Sequence, residues 1–164
     1  MEGSYEKYSI TKSFHQHSDM VYRIALNMVR SISAAEDITQ EVFLKLIEKQ
    51  LTFESKQHEK AWLIRVTINY CKNYLKSGWF RKTTELTEDI PYVSGIECTL
   101  EQKELYNQLM KLKELERTIV YLYYYEEYTL AEIAKILEMN SNTVATKLRR
   151  AKEKLKFQMK GGVY

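Results

Sequence analysis

Apolar residues recur at steps of three and four along most of the chain, the spacing of helices that bury one face. In the first half this pattern predicts three helices. Their buried positions are Phe14, Val21, Ile24, Ala25 and Met28, then Ile38, Val42 and Leu46, with Phe43 either buried beside them or exposed, then Ala61, Ile64, Ile68, Cys71 and Leu75. Ser33 and Glu36 have the spacing of a capping box that starts the second helix, and Gly78 is expected to close the third. Polar residues 52–57 predict a loop between the second and third helices.

The periodicity stops between residues 81 and 99, a segment that contains the only proline, Pro91, with Gly95 and several acids. Such a composition predicts an extended, flexible linker. Helical spacing resumes with Leu100, Leu105 and Leu109. The sequence therefore predicts an all-α fold of two small helical domains, residues 1–80 and 100–164, joined by a linker over residues 81–99.

The end of the second domain has the pattern of a helix-turn-helix. Thr129 and Glu132 have capping-box spacing, and Asn140 offers an N-cap for a second helix a few residues later. That second helix has an apolar stripe, and residues 141–160 contain seven Lys or Arg and one acid. A short helix followed by a cationic one suits insertion into a DNA major groove. The alternative interpretation is a solvated surface helix at the end of a bundle.

Composition excludes several other classes of function. The formal charge of +3 is too small to indicate a nucleic-acid partner by itself. Cys71 and Cys98 have no CxxC pattern and no His at ligand spacing, so neither a disulfide nor a metal site is predicted. No signal peptide or membrane-spanning run is evident, which predicts a cytoplasmic protein. The histidines are isolated and no Gly-rich phosphate loop is present, so we expect no cofactor and no enzymatic activity.

Three segments, taken in order, resemble the extracytoplasmic-function sigma factors of bacterial RNA polymerase. Residues 35–43 read AEDITQEVF, which matches the AED-x-x-QE-x-F motif of that family. Residues 61–69 read AWLIRVTIN, similar to the AWL-x-R-I-x-x-N segment. Residues 132–134 read EIA and are followed by Thr143-Val144 and Arg150-Ala151, as in the helix-turn-helix of the family. The resemblance covers residues 10–160.

The resemblance implies a polymerase-binding surface on the second helix and a DNA surface on the third. The polymerase-binding surface is expected to dock on the clamp helices of the largest polymerase subunit. It comprises Asp37, Gln40, Glu41, Phe43 and Leu44. The loop of residues 53–60 captures a flipped-out base of the minus-ten element, and Trp62 lines either that pocket or the core. Further minus-ten contacts are implied for Arg65, Asn69, Lys72, Asn73 and Lys76.

In the second domain the resemblance implies minus-thirty-five recognition by the cationic helix, and contact of the protein with the flap of the second-largest polymerase subunit. The implied DNA-binding residues are Asn142, Thr143, Thr146, Lys147, Arg149, Arg150, Lys152 and Lys154. Arg149 and Arg150 are expected to read bases, whereas the lysines contact phosphates. An ion pair between Arg150 and Glu153 is the alternative role for that arginine.

Two positions depart from the family pattern. Glu138 stands where the turn normally has Gly, and Ala145 stands where Lys or Arg is usual. A left-handed backbone at Glu138 would cost roughly 1 kcal/mol relative to Gly. The resemblance implies an alternative sigma factor that directs promoter-specific initiation and is held inactive by an anti-sigma factor, itself membrane-linked. The alternative function is a free-standing helix-turn-helix transcriptional regulator.

Overall fold

The computed structural model describes residues 2–77 and 100–158, with side chains described for 10–77 and 103–155. These ranges contain helices and no strand, in two compact units, Met1–Thr87 and Glu88–Tyr164, so the predicted fold class is confirmed. The helices are α1 (Glu2–Val29), α2 (Ile32–Lys49), α3 (Lys56–Lys76), α4 (Leu100–Met110), α5 (Glu114–Val120), α6 (Leu130–Leu137) and α7 (Ser141–Gln158). The predicted linker over residues 81–99 and the predicted helix end at Gly78 lie outside the described residues.

Unit 1 is a three-helix bundle in which α1, α2 and α3 all pack on one another. Ile24, Val42 and Ile64, one from each helix, are almost fully buried at its centre. Thr67 is also fully buried, and its hydroxyl donates to the Leu63 carbonyl oxygen at 2.6 Å, so no hydroxyl hydrogen-bonding potential is lost by burial. The three predicted buried stripes are confirmed around this core, except at the exposed Phe14 and at Ala61 and Leu75, which are half-buried.

The start of α2 differs from the predicted capping box at Ser33 and Glu36. Ser31 is the N-cap, and its side chain accepts a hydrogen bond from the Ala34 N–H at 3.2 Å. Arg30 takes a left-handed backbone at φ 53°, so the chain turns within two residues and Ser33 already lies inside the helix. Likewise α3 begins at Lys56 with Ser55 as N-cap, which makes the preceding loop shorter than predicted.

Unit 2 is held together by α7, which contacts α4, α5 and α6. Ile119, Leu122, Ile133 and Val144 are fully buried between these helices. Beyond α5 the chain continues as one π-helical turn, Tyr121–Tyr125, in which the Glu126 N–H reaches back to the Tyr121 carbonyl at 3.2 Å. Such turns are common near functional sites, and in this one Tyr124 and Tyr125 are exposed while Tyr123 is half-buried.

The turn between α6 and α7 places a glutamate, Glu138, in a left-handed backbone conformation that is unfavourable for a residue with a side chain. The predicted capping box at Thr129 and Glu132 is present, and α6 ends at Glu138 with φ 55° and ψ 44°. This is the left-handed region, where a side chain crowds the backbone and glycine is the usual residue. Asn140 then caps α7, since its Oδ1 accepts from the Asn142 N–H at 2.8 Å.

We expect Glu138→Gly to raise the free energy of unfolding of unit 2 by roughly 1 kcal/mol, because glycine adopts this backbone without strain. The control is Ala131→Gly in the same helix, where the backbone is right-handed and stability should fall by roughly 0.5–1 kcal/mol. Thermal or denaturant unfolding of the full chain measures both. A less stable Glu138→Gly variant would show that contacts of the Glu138 side chain outweigh the backbone strain.

Candidate nucleic-acid interface

One face of α2 is exposed along its length. Asp37, Gln40, Glu41 and Leu44 are all exposed, and their spacing places them within roughly 100° of arc on the helix. Leu44 is 54% exposed and Ile47, one turn further, is 45% exposed. The structure therefore brings four of the five predicted polymerase-binding residues together. It adds an apolar extension that the sequence analysis did not include.

Phe43 does not lie on this face. Its side chain is only 5% exposed and makes an edge-to-face contact with the Phe14 ring, with centroids 5.0 Å apart. Consecutive helical residues lie about 100° apart around the axis, so Phe43 points toward α1 when Leu44 points outward. Phe43 supports the α2 face from behind, which corrects its predicted place among the surface residues.

The predicted minus-ten residues form a stripe along α3. Trp62, Arg65, Asn69, Lys72, Asn73 and Lys76 follow one another at steps that keep them within roughly 100° of arc. Asn69, Asn73 and Lys76 are exposed, while the others are half-buried. The opposite side of α3 carries Leu63, Ile64 and Ile68 into the core. The stripe therefore offers amide and ammonium donors without disturbing packing.

The loop between α2 and α3 is held against the first turns of α3 by aromatic contacts. The Phe53 ring lies 5.4 Å from the His58 ring and 5.8 Å from the Trp62 ring, between centroids. The Glu54 N–H also donates to Nδ1 of His58 at 3.4 Å. Trp62 is half-buried against this loop and not within the bundle core.

A cleft of about 530 Å³ opens beside this loop, between α1, the end of α2 and the start of α3. Leu51, Thr52 and Phe53 line it from the loop. On its other side the buried Ser13 hydroxyl donates a hydrogen bond to the Glu59 carboxylate. The cleft thus combines an aromatic ring and apolar walls with a fixed carboxylate, which suits a planar group that has hydrogen-bond donors on its edge.

The recognition helix α7 divides into a buried stripe and an exposed arc. Val144, Leu148 and Ala151 are buried. The arc opposite them carries Asn142, Arg149 and Arg150, all exposed, together with the half-buried Thr146. Thr143 is exposed and Lys147 half-buried at one edge of this arc. Six predicted DNA-binding residues therefore lie on, or at the edge of, one surface.

Several cations of α7 already have partners within unit 2. Arg149 forms an exposed ion pair with Glu153 at 3.4 Å, whereas the sequence analysis considered this pair for Arg150. An i, i+4 separation, like i, i+3, places side chains on one face, and here the structure selects the former. Arg150 forms no ion pair within the described part of the chain. Its guanidinium is thus available to an outside partner.

Lys152 and Lys154 contact the helix beneath α7. The Lys154 ammonium donates to both carboxylate oxygens of Glu116 at 3.3 and 3.1 Å. The Lys152 ammonium lies 5.4 Å from the ring centres of both Tyr123 and Tyr124. A hydrogen bond with the Tyr124 side chain raises the pKa of Lys152 above its ordinary value.

Sequence reasoning missed these contacts because they join distant positions, 38 residues apart for Glu116 and Lys154. One feature of the sequence hinted at the Glu116 contact: Glu116 lies one helical turn before Ile119, on the side of α5 that is buried. Tyr124 and Tyr125 are more than half exposed. Tyr125 stacks on Tyr121 at 5.0 Å between ring centres.

The described residues contain no group of three or more His, Cys, Asp or Glu that could hold a metal ion. Burial raises the pKa of the Cys71 thiol to about 12, so Cys71 is a packing residue and a poor nucleophile at neutral pH. None of the described helices is long and apolar enough to cross a membrane.

Comparison with known proteins identifies the two units. Residues 14–81 match Sigma-70 region 2, and residues 102–155 match Sigma-70 region 4. The chain is 29% identical over 146 residues to RNA polymerase sigma factor SigV of Bacillus subtilis, covering 87% of this chain and 86% of that protein. It is 26% identical over 164 residues to ECF RNA polymerase sigma factor SigW of the same organism, covering 88% and 85%.

A solved structure has the same fold over 94% of this chain and 99% of its own, with a TM-score of 0.76 and 17% identity. It is the sigma factor RpoE in complex with the anti-sigma factor NepR from Bartonella quintana. The chain therefore belongs to the sigma-70 family, among its extracytoplasmic-function sigma factors. It is a subunit that binds core RNA polymerase and directs promoter-specific initiation. A free-standing helix-turn-helix regulator would have no use for a region 2 domain.

We expect Arg150→Ala to cost roughly 1–3 kcal/mol in promoter binding and to relax preference at one minus-thirty-five position, because a guanidinium can pair with two guanine acceptors. The control is Arg150→Lys, which keeps the charge but loses the planar fork, and which should relax the same position. Holoenzyme binding to a panel of single-base promoter variants measures both. An Arg150→Lys variant with unchanged base preference would show that Arg150 contacts only phosphate.

Proposed function

We propose that the exposed face of α2 is where this sigma factor docks on core RNA polymerase, on the clamp helices of the largest subunit. The observation that carries this proposal is the continuity of polar Asp37 and Gln40 with exposed Leu44 and Ile47 on one face. Protein interfaces combine an apolar centre with a polar rim, and Leu44 and Ile47 would supply the apolar centre here.

The α3 stripe and the neighbouring cleft together suit an opened minus-ten strand. Single-stranded DNA is bound by donors along its backbone and by aromatic rings on which bases stack. Asn69, Lys72 and Lys76 supply the donors, and Phe53 and Trp62 supply rings at the loop. The cleft beside Phe53 is large enough for a base taken out of the stack, with the Glu59 carboxylate as a hydrogen-bond acceptor.

Unit 2 reads the minus-thirty-five element through the first half of α7. A recognition helix contacts base edges with its N-terminal residues. On α7 these include Asn142, Thr146 and Arg150, on the exposed arc described above. The work of the protein is therefore recognition, and the polymerase performs the chemistry. The flap of the second-largest polymerase subunit is the partner of unit 2 in this arrangement.

An anti-sigma factor is the proposed inhibitor. The RpoE structure is a complex with an anti-sigma factor, and so is that of CnrH, solved with the cytosolic domain of CnrY at a TM-score of 0.65. A partner that covers Leu44 and Ile47 would hide the docking face from polymerase, which is a direct way to inhibit a dissociable subunit. A membrane-linked inhibitor would hold the inactive sigma factor at the cytoplasmic face of the membrane.

We expect the double variant Asp37→Arg and Gln40→Ala to weaken binding to core polymerase at least tenfold, because it reverses charge and removes an amide within the docking face. The matched control is Lys49→Glu, a charge reversal on another side of α2 that should leave binding unchanged. Co-purification with core enzyme measures binding to polymerase, and run-off transcription from a bound promoter measures initiation. Thermal melting measures whether each variant is folded.

Undiminished binding to core polymerase by a folded double variant would show that α2 is not the docking surface. Failure of the wild-type chain to support run-off transcription with any promoter bound by its holoenzyme would count against the proposed division of labour. The two failures are distinguishable because the first concerns binding to polymerase and the second concerns initiation.

A further inference from the structure

The recognition helix α7 is held on both flanks by one underlying segment, α5 and its π-helical turn. Lys154 reaches Glu116 near the start of α5, and Lys152 reaches Tyr123 and Tyr124 at its end. Two residues along a helix correspond to roughly 200° of rotation. The two lysines therefore leave α7 on opposite sides of its buried stripe and contact the same segment from both sides.

The Lys154 contact involves a carboxylate that needs a partner. The Glu116 side chain is 7% exposed, and the Lys154 side chain is 48% exposed. Both carboxylate oxygens accept from the same ammonium within 3.3 Å. The pair is part-buried, and removing Lys154 would leave the buried Glu116 carboxylate without this charged partner, which is unfavourable. Lys154 cannot move to a DNA phosphate without leaving Glu116 in that state.

The contacts also separate α7 into two parts along its length. Asn142, Thr146 and Arg150 lie on the arc opposite the buried stripe, and Lys147 lies at its edge. Neither Arg150 nor Lys147 forms an ion pair within the described part of the chain, and the Thr146 hydroxyl donates only to the Asn142 carbonyl oxygen of the same helix, at 2.8 Å. The cations that contact α5 and the π-helical turn come after Arg150. The first part of α7 is thus open to DNA, and the second part is engaged with the protein.

We propose that Lys152 and Lys154 are positioning residues that fix the orientation of α7 on α5, so that the DNA-contacting part of the helix ends near Arg150. This inference rests on the proposed minus-thirty-five role of α7. It gives the two lysines a different role from the phosphate contacts that the family resemblance implies. Tilting α7 would displace Thr146 and Arg150 from base edges, so the lysines act on sequence discrimination through other residues.

The decisive variant is Glu116→Gln, because the two roles of Lys154 predict opposite results. If Lys154 positions α7, loss of the carboxylate loosens the helix, and holoenzyme affinity for its promoter should fall about fivefold, which is ~1 kcal/mol. If Lys154 is a phosphate contact, removing its acidic partner frees the ammonium and promoter affinity should rise. The Glu116→Gln variant deletes no cation, so a loss of affinity cannot be a lost phosphate contact.

The companion variants are Lys154→Met and Lys152→Met, with Lys147→Met as the matched control from the open part of α7. Holoenzyme binding is measured over several salt concentrations, on the promoter and on a copy with a shuffled minus-thirty-five element, well below the melting temperature. Lys154→Met and Lys152→Met should lower the ratio of the two affinities and leave the salt slope unchanged. Lys147→Met should reduce the slope by about 0.9 and leave the ratio unchanged.

A reduced salt slope with an unchanged affinity ratio for Lys154→Met would overturn the proposal. So would tighter promoter binding by Glu116→Gln. If Lys154→Met alone does not fold, the double variant Glu116→Gln/Lys154→Met removes the unpaired charge and should regain stability, so the same measurements apply to it. Absence of minus-thirty-five discrimination in the wild type would instead refute the proposed role of α7, while melting of these variants would still test the ion pair.

Discussion

The orientation of α7 on α5 is the constraint on which the DNA-binding surface of unit 2 depends. Val144, Leu148 and Ala151 are buried against neighbouring helices, and burial of an apolar stripe sets which side of α7 faces inward. Such burial is non-directional, so it permits small rolls and tilts of the helix. The Glu116–Lys154 ion pair and the tyrosine contacts of Lys152 are directional and lie on either side of the stripe. They restrict the motions that apolar packing leaves open.

The surfaces of unit 1 follow from the same relation between buried and exposed faces. Helices α2 and α3 each place one face in the bundle core, and this leaves Gln40 and Asn69 outside. A polar stripe is the expected outcome of that packing and does not itself indicate function. The exposed Leu44 and Ile47 support the proposed docking role, because an apolar centre within a polar rim is typical of protein interfaces.

Local signals were sufficient for much of this structure. Helical periodicity predicted the three helices of unit 1 and the two of the helix-turn-helix, and the capping box at Thr129 and Glu132 and the N-cap at Asn140 are present. The predicted N-cap of α2, Ser33, was wrong. Ser31 and Ser33 are both acceptable N-cap residues, and the turn at Arg30 decides between them. The partner of Lys154 could not be predicted, since helical spacing gives no distance between residues 38 positions apart. The position of Phe43, in the core or on the docking face, could not be decided because the motif does not state which side of α2 it occupies.

The net charge of a recognition helix is therefore not a measure of its affinity for DNA. Residues 141–160 contain seven Lys or Arg, but Arg149, Lys152 and Lys154 have acidic or aromatic partners within unit 2. Sequence-independent affinity depends on the number of cations that neutralise phosphates, so engaging cations internally lowers it. A dissociable polymerase subunit benefits from weak binding to DNA at large, because strong binding would sequester it away from core enzyme. In the proposed arrangement the internal contacts of α7 have two effects, since they orient the residues proposed to read bases and limit attraction to every other sequence.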